Sequence, residues 1–368
     1  MIQNRRDFIV GSAATAAMLP LAACGKADMA EYDAAAAKLR ETLARDPGML
    51  DLVRYATLAP NGHNSQPWQF SINGGFASIL PDLSRRTPVV DPDDHHLFVS
   101  LGCAAENLLI AGAAHGRPGQ MLFLNNDGGR IDLGLDRGKA DSTALYDAIP
   151  KRQSTRSAYD GRAMPVENLK LLEAASKVDR VSVLLITDKP RREAVLEQVI
   201  AANTRQMDDP AFVQELKQWV RFNPAQALAK GDGLFGPTSG NTTVPTFIGQ
   251  TLFSQFLDAD AENKKYAEHI RSSPGIAVFI GDKADKDHWV KVGRSFQRFA
   301  LQATALGLRH AHINQPIEVP EARTQFAGWL GMPGVRPDLV IRFGYAPALP
   351  MSLRRNVTDV LIPWEISS

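Results

Sequence analysis

The 368-residue chain exceeds the usual size of one simple domain, so we expect either one two-lobed body or two fused modules. Hydrophobic residues make up 44% of the sequence and charged residues 22%, a composition typical of a folded globular protein rather than a disordered one. Lys and Arg total 41 against 40 for Asp and Glu, so the chain lacks the broad basic field of a nucleic-acid-binding protein. We expect a small-molecule partner.

The first 24 residues have the pattern of an export signal. Arg5 and Arg6 precede a short, alanine-rich apolar stretch, which resembles a twin-arginine signal read by the twin-arginine export machinery. Leu21-Ala22-Ala23-Cys24 then resembles a lipobox, in which Cys24 is lipidated and anchors the mature chain. Ordinary cleavage near the same small residues is the alternative. We expect an exported protein of the periplasm or cell envelope, held to the membrane by a lipid.

Residues 25–140 form the first predicted half. Asn73-Gly74-Gly75 is a strong turn signal and predicts a hairpin. Gly102 lies in a long apolar segment whose small residues permit close helix packing. The segment after residue 124 is rich in Gly and Asp and predicts turns. The patterns predict helices over residues 31–46, 49–58 and 97–115, and strands over 68–72, 76–80 and 121–124.

Residues 141–368 form the second predicted half, and its order of elements partly repeats that of the first. The long predicted helix 288–306 corresponds to the helix 97–115. Residues 222–245 are rich in Gly and Pro and predict a long loop, either a functional lid or a passive insertion. The remaining patterns predict a helix over 166–176 and strands over 181–187, 276–280, 310–312 and 339–345.

A loop rich in short amides, Ala59 to Trp68, lies at a predicted helix-to-strand junction. Its candidate ligand contacts are Asn61, Asn64, Ser65 and Gln66. Short amides on a loop stiffened by proline can pair with the donor and acceptor edge of a ligand ring at little entropic cost, and we expect them to be accessible to solvent. A polar turn stabilised by its own side chains is the alternative. Trp68 is expected to fill the core.

A second motif, Lys151-Arg152-Gln153-Ser154-Thr155-Arg156, alternates basic and polar side chains. In an extended segment Arg152, Ser154 and Arg156 all face one side, because side chains alternate along a strand. Guanidinium groups paired with a hydroxyl make a good phosphate cradle. A solvated run of charges is the alternative.

Both motifs resemble signatures of the nitroreductase superfamily. The amide loop is similar to APSxxNxQPW, which contacts a flavin bound mainly by the partner subunit, with Asn61 here in place of the usual serine. The arginine motif is similar to RRSxRxF, whose basic residues bind the phosphate and ribityl chain of FMN. The resemblance implies an α+β fold, with a mixed β-sheet flanked by helices.

The resemblance extends to the C-terminal third of the chain. Residues 310–315, which include Asn314, correspond to the segment that passes the N5 and pyrimidine edge of the flavin in the family. Residues 352–357 are similar to the family's closing segment, in which an arginine reaches the same phosphate. Arg354 and Arg355 are both candidates for that arginine.

The order of the two motifs is reversed relative to ordinary family members, in which the arginine motif comes first and two subunits build two sites. Here the first half carries the loop and the second carries the arginines. The resemblance therefore implies an internally duplicated chain, a monomeric pseudo-dimer with one FMN site, similar to the tandem Acg-like branch of the superfamily.

The resemblance implies an FMN-dependent oxidoreductase, in which hydride passes through FMN to a nitro, quinone-type or other small, possibly aromatic acceptor. NAD(P)H is the reductant it implies, and no protein side chain acts as a nucleophile. The alternative is a non-catalytic FMN-binding or sequestering protein with a lidded site.

The run Asp93-Asp94-His95-His96 could indicate a metal, but it directly precedes a predicted helix and lacks further ligands at suitable spacing. We interpret it as a helix-start cap and expect no metal site.

Overall fold

A computed structural model describes residues 28–126, 128–256 and 258–364. The predicted export signal and Cys24 lie outside the described residues. The helices are α1 Met29–Leu39, α2 Met49–Thr57, α3 His95–Ala114, α4 Ala144–Ala148, α5 Val166–Ala175, α6 Lys189–Met207, α7 Pro210–Trp219, α8 Pro224–Lys230, α9 Thr246–Phe256, α10 Ala259–Arg271, α11 Lys286–Ala305, α12 Gln315–Glu318 and α13 Pro320–Trp329. The strands are β1 Trp68–Asn73, β2 Phe76–Pro81, β3 Gly119–Leu124, β4 Arg130–Leu135, β5 Val181–Ile186, β6 Val220–Arg221, β7 Leu234–Phe235, β8 Gly275–Gly281, β9 Arg309–His312 and β10 Leu339–Gly344.

Two four-stranded sheets share one topology. The first has the strand order β1-β2-β4-β3 and the second has the order β5-β8-β10-β9, and every neighbouring pair in both sheets is antiparallel. In each sheet the second strand leads into a twenty-residue helix, α3 after β2 and α11 after β8. The α+β class, the sheets flanked by helices and the internal duplication are thereby confirmed.

The two long helices α3 and α11 pack against each other at the centre of the molecule. Glu106 of α3, which is 2% exposed, pairs with Arg294 and Arg298 of α11 at 2.7 and 2.8 Å. α3 is long and apolar enough to cross a membrane, yet 83% of its most apolar window is buried inside the protein. It is therefore part of the core between the halves, as the pattern of small residues predicts.

An isolated parallel bridge lies at one edge of each sheet. Leu361, near the C-terminal end of the described residues, forms a parallel bridge with Phe70 of β1, and the Ile362 N–H donates to the Phe70 carbonyl at 2.9 Å. Ser154 of the arginine motif forms a parallel bridge with His310 of β9. Each bridge pairs a short segment in parallel with the edge strand of an antiparallel sheet. The bridge at Phe70 joins the C-terminal segment to the first half.

Three stretches differ from the sequence-based predictions. The helix predicted over 31–46 ends at Leu39. The turns predicted after residue 124 include a strand, β4, whose Ile131, Leu133 and Leu135 are buried and alternate with more exposed residues. Glycine and aspartate at the less buried positions made the segment resemble a turn and obscured the alternation of apolar residues that is typical of a strand.

The loop predicted over residues 222–245 contains the helix α8 and the short strand β7. The Asn223 side chain accepts from the Gln226 N–H at 3.0 Å and caps the helix, and Gly231 ends it with a φ of 63°. Proline and glycine therefore mark the two ends of a helix here rather than a structureless stretch.

Candidate functional site

Arg156, Leu234 and His312 line three adjoining cavities. Both halves line the first two cavities, and the second half alone lines the third. Their volumes are about 240, 50 and 290 Å³. The amide loop contributes Asn61 to the first two, and Tyr266 of α10 lines the first and third. We call the smallest cavity the basic pocket, because several arginine side chains line it.

The basic pocket contains four arginines, and the described residues that line it include no carboxylate. Burial, together with repulsion from Arg40, lowers the pKa of Arg152 to about 10. Burial likewise lowers the pKa of Arg354, with added repulsion from Arg40 and Arg152. A pocket that concentrates positive charge without a counterion favours an anionic ligand. Its lining comprises Arg40, Pro60, Asn61, Asn64, Arg152, Gln153, Ser154, Arg156, Leu234, His312, Pro350, Ser352 and Arg354.

Two of these arginines retain unused donors. Arg152 donates from Nη2 to the Leu58 carbonyl at 2.9 Å, while its Nε and Nη1 are buried with no hydrogen-bond partner among the described residues. Arg156, whose pKa burial lowers, makes no hydrogen bond or ion pair within the described part of the chain. Unpaired buried donors are costly, so these guanidinium groups fit the acceptor oxygens of a phosphate or of a flavin ring edge.

Asn64 of the amide loop is buried and fully engaged. Its Nδ2 donates to the carbonyls of Gly233 and Leu353 at 3.1 and 3.2 Å, and its Oδ1 accepts from Arg354 Nη1 at 2.8 Å. Asn64 lines the basic pocket, but its amide fastens the loop to two segments of the second half. The expectation that this amide is accessible to solvent was wrong, because both of its ends satisfy buried backbone or guanidinium groups.

Gln66 has the same structural role. Its Nε2 donates to the Gly231 carbonyl at 2.9 Å, its Oε1 accepts from the Arg355 N–H at 2.8 Å, and its side chain is buried. The expected solvent access was wrong for this residue as well. Asn61 Oδ1 accepts from the Gln66 N–H at 2.8 Å, so Asn61 braces the loop from the cavity side.

The amide loop has an unusual backbone. His63, Asn64 and Gln66 adopt φ values of 51°, 53° and 55°, a left-handed region that non-glycine residues rarely occupy. Such conformations persist only where the surroundings hold them, and here the amide contacts to the second half do so. Ser65 is buried on the far side of this loop, where its carbonyl accepts from Arg85 Nε, and it lines a separate small pocket.

The two C-terminal arginines differ in position. Arg354 lines the basic pocket, but its guanidinium donates to the carbonyls of Thr57, Leu58 and Ala59 at 2.6, 3.2 and 3.0 Å, and so caps the C-terminal end of α2. Arg355 lies outside the lining of the three cavities, with its Nη1 3.4 Å from an Asp82 carboxylate oxygen. Neither presents the kind of unengaged guanidinium found at Arg156.

The end of β9 and the residues that follow it line the 240 Å³ cavity. Asn314 lines this cavity and accepts from the Val340 N–H at 2.9 Å through Oδ1. His312 Nδ1 is buried without a partner among the described residues, and burial lowers the pKa of His312 to about 3. Burial lowers the pKa of His63, which lines the same cavity, to about 4. Both imidazoles are therefore uncharged at neutral pH.

The segment Gly231–Phe235, which we call the covering segment, spans the site between α8 and the cavities. Its Asp232 carboxylate pairs with Arg221, whose Nε lies 3.1 Å away, and with Arg85 of the first half. Its Gly233 N–H donates to the Asn64 carbonyl at 3.1 Å. Because Leu234 lines all three cavities, the ion pairs of Asp232 hold an apolar side chain over the site.

The start of α3 is capped by Asp91, whose carboxylate accepts from the backbone N–H groups of His96 and Leu97, each at 3.0 Å. The predicted helix-start role therefore belongs to Asp91, two residues upstream of the run that suggested it. One ligand atom from each of Asp91, His95 and His96 lies within 4.8 Å of the others, but His95 Nε2 is 2.9 Å from Asp338 Oδ1 and Asp91 serves as the cap.

Comparison with known proteins gives a consistent set of relatives. No family model matches the chain. It is 25% identical over 324 residues to the Mycobacterium tuberculosis H37Rv protein named "Putative NAD(P)H nitroreductase Rv3131", covering 83% of this chain and 88% of that protein. The chain is similar to nitroreductases. A second M. tuberculosis H37Rv protein, "Putative NAD(P)H nitroreductase acg", is 23% identical, covering 87% of this chain and 97% of that protein.

Among solved structures, the FMN-dependent nitroreductase NfnB from Mycobacterium smegmatis in complex with NADPH gives a TM-score of 0.37 at 16% identity, covering 55% of this chain and 87% of that chain.

Sequence reasoning missed three side chains at the cavities: Arg40, His63 and Leu234. Arg40 directly follows α1 and has no motif around it. His63 lies inside the amide loop, from which the sequence analysis selected only the amide and hydroxyl side chains as candidate ligand contacts. Leu234 sits among the glycines of the covering segment, and its position could be recognised only from the fold.

Proposed function

We propose that the protein is an FMN-dependent oxidoreductase of the nitroreductase type, with one flavin site between its two halves. The observation that carries the proposal is the pair Arg152 and Arg156, a buried and a partly buried guanidinium group with unused donors, which both line the basic pocket. Similarity to proteins named as nitroreductases over more than four fifths of the chain, 83%, supports the same function.

In this proposal Arg152 and Ser154 hold the phosphate in the basic pocket, and Arg156 donates to the flavin at the junction with the larger cavities. FMN, when bound, supplies the hydride chemistry, with NAD(P)H as reductant and a nitro, quinone-type or other small acceptor. Asn61 and Asn314 face the 240 Å³ cavity and offer amide groups to a polar ring edge.

Asn64, Ser65 and Gln66 belong to the site through the loop they shape. Their backbone conformation places Asn61 and His63 against the cavity, while the side chains of Asn64 and Gln66 are used internally. Arg354 acts on the same loop, because it joins Asn64 to the end of α2. We assign these residues to positioning rather than to direct polar contact with the flavin.

A second function, FMN storage without turnover, is favoured by the covering segment. Leu234 is held over the cavities by the two ion pairs of Asp232, and a segment fixed in this way would exclude an acceptor from the flavin face. The two functions share one cofactor site and differ in whether that segment opens.

An absorbance spectrum of the purified protein, followed by anaerobic addition of NADH and NADPH, tests the proposal. A flavin spectrum that bleaches on addition and recovers with a quinone or nitroaromatic acceptor supports the oxidoreductase. A flavin spectrum that stays unchanged with both nucleotides supports storage. A chain that remains colourless after incubation with FMN contradicts both functions.

We also propose that the chain is exported by the twin-arginine machinery and anchored by lipid at Cys24, as residues 4–24 suggest. Arg5→Lys with Arg6→Lys should retain the protein in the cytoplasm. Cys24→Ser should release it from the membrane fraction while leaving export unchanged. Membrane association of Cys24→Ser equal to that of the wild type would contradict lipid anchoring.

A further inference from the structure

Arg40, a residue of the first half, contributes a guanidinium group to the lining of the basic pocket. It follows α1, and its guanidinium donates from Nη1 to the Ala36 carbonyl at 2.9 Å and from Nη2 to the Ser352 carbonyl at 2.8 Å. Two such bonds leave three of its five donors available. Arg40 has no acidic partner among the described residues, and burial lowers its pKa to about 10.

α1 packs against residues that border this pocket, while the carbonyl of its last residue, Leu39, accepts from Arg54 Nη1 of α2 at 2.9 Å. Tyr32 packs on Phe235 with ring centroids 4.4 Å apart, and its hydroxyl donates to the Met351 carbonyl at 2.8 Å. Tyr32, Ala36 and Leu353 belong to a small core that also includes α8 and the covering segment. α1 therefore borders one end of the site, where Arg40, directly after the helix, lines the basic pocket.

The volume of the pocket limits what this end can hold. A space of about 50 Å³ accommodates roughly three to five water molecules at about 10–15 Å³ each, which is the scale of one phosphate group. Arg40, bound to the Ser352 carbonyl, lines this space together with Pro350. A space of this size fits a phosphate monoester more closely than a diphosphate that carries a nucleoside.

We propose that Arg40 is a ligand of the terminal phosphate monoester of the cofactor, and that this small basic pocket favours a flavin monophosphate over flavins that lack the phosphate or extend it as a diphosphate. The proposal rests on the FMN site proposed above. It assigns to the first half a charged contact with a phosphate whose other ligands, Arg152 and Ser154, come from the second.

The experiment compares Arg40→Met with Arg45→Met in the full chain. Arg45 lies on the same N-terminal segment but is exposed, so it controls for loss of one positive charge and for changes near α1. Affinities for FMN, riboflavin and FAD are measured by flavin fluorescence. Thermal unfolding of the flavin-free chain is measured with inorganic phosphate and with sodium chloride at equal ionic strength.

Wild type and Arg45→Met should bind FMN more tightly than riboflavin or FAD, and phosphate should raise their unfolding temperatures more than chloride does. Arg40→Met should weaken FMN binding by about ten- to a hundred-fold, leave riboflavin unchanged and lose the phosphate effect. Equal FMN affinity in the two variants, or an equal loss for riboflavin, would overturn the proposal while the FMN site stands. Absence of flavin binding to the wild type, with an Arg40-dependent phosphate effect, would remove the proposed function but leave Arg40 as an anion ligand.

Discussion

Gly102 of α3 and Gly293 of α11 occupy equivalent positions in the helix crossing at the centre of the protein. A Cβ atom on Gly102 would lie 2.1 Å from the Val290 carbonyl oxygen, and one on Gly293 would lie 2.0 Å from the Val99 carbonyl oxygen. Each contact falls three residues before the opposite glycine. The two helices therefore make the same contact twice, with a glycine of each helix packed against a backbone carbonyl of the other.

Gly102→Ala and Gly293→Ala are each expected to lower the free energy of unfolding by about 3 kcal/mol or more, since a backbone carbonyl cannot move aside as a side chain can. Gly328→Ala is the matched control. Its Cβ would meet nothing within 4 Å on the exposed face of α13, and the helix should gain about 0.5–1 kcal/mol. Urea denaturation measures all three variants, and equal stability of Gly102→Ala and wild type would contradict the close crossing.

Asp232→Asn should release the covering segment, because its carboxylate is shared by Arg85 and Arg221 and all three side chains are largely buried. Removing one partner of a buried ion pair costs about 3–5 kcal/mol. We expect lower thermal stability and faster exchange of bound FMN in stopped-flow measurements.

The control for this prediction is Asp160→Asn, which removes an exposed carboxylate from its pair with Arg162 and should leave thermal stability close to that of the wild type. An Asp232→Asn protein with unaltered stability and FMN exchange would show that the segment is held by other contacts.

Asn64→Ala combined with Gln66→Ala should destabilise the flavin-free protein. Each substitution leaves buried hydrogen-bond partners unpaired, at a cost of about 1–3 kcal/mol. Arg156→Ala should leave the stability of the flavin-free protein unchanged or raise it, since a partly buried cation with no ion-pair partner among the described residues is removed, while FMN affinity falls by about ten- to a hundred-fold. Calorimetry and FMN titration separate the two behaviours. A stable double variant would mean that the loop amides do not join the halves.

The stability of the flavin-free protein should depend on His312 below neutral pH. The pKa of His312 is lowered to about 3 by burial, whereas the unfolded chain takes up this proton near the ordinary histidine value of about 6.5. The folded state therefore loses stability as pH falls from about 6.5 toward 3. His312→Gln should flatten the decline in unfolding temperature between pH 7 and 5, relative to wild type measured at the same pH values. An identical decline in both proteins would contradict a buried neutral His312.

Much of the fold could be predicted from the sequence, because a long apolar segment marked α3, the partly repeated order of elements marked α11, and a strong turn signal marked the hairpin of β1 and β2. β4 was missed, since glycine and aspartate at its exposed positions concealed the alternation of Ile131, Leu133 and Leu135. α8 was missed because prolines and glycines mark helix ends as readily as they mark loops.

The candidate site was predicted less completely. The arginine motif identified Arg152 and Arg156, since side-chain alternation alone sets their common face. The internal use of Asn64 and Gln66 depends on contacts with residues 231–233 and 353–355, which lie more than 160 positions away in the sequence. Arg40 enters the basic pocket through the packing of Tyr32 against Phe235, which no local pattern reveals.

The central claim is that one FMN binds between the two halves, with its phosphate held by Arg152. Titration of the flavin-free chain with FMN, followed by flavin fluorescence in wild type and in Arg152→Ala, tests it most directly. We predict saturation at about one FMN per chain in the wild type, and an affinity about ten- to a hundred-fold lower in Arg152→Ala with riboflavin binding unchanged. Saturation at two flavins per chain, or an FMN affinity that the substitution does not alter, would contradict the account.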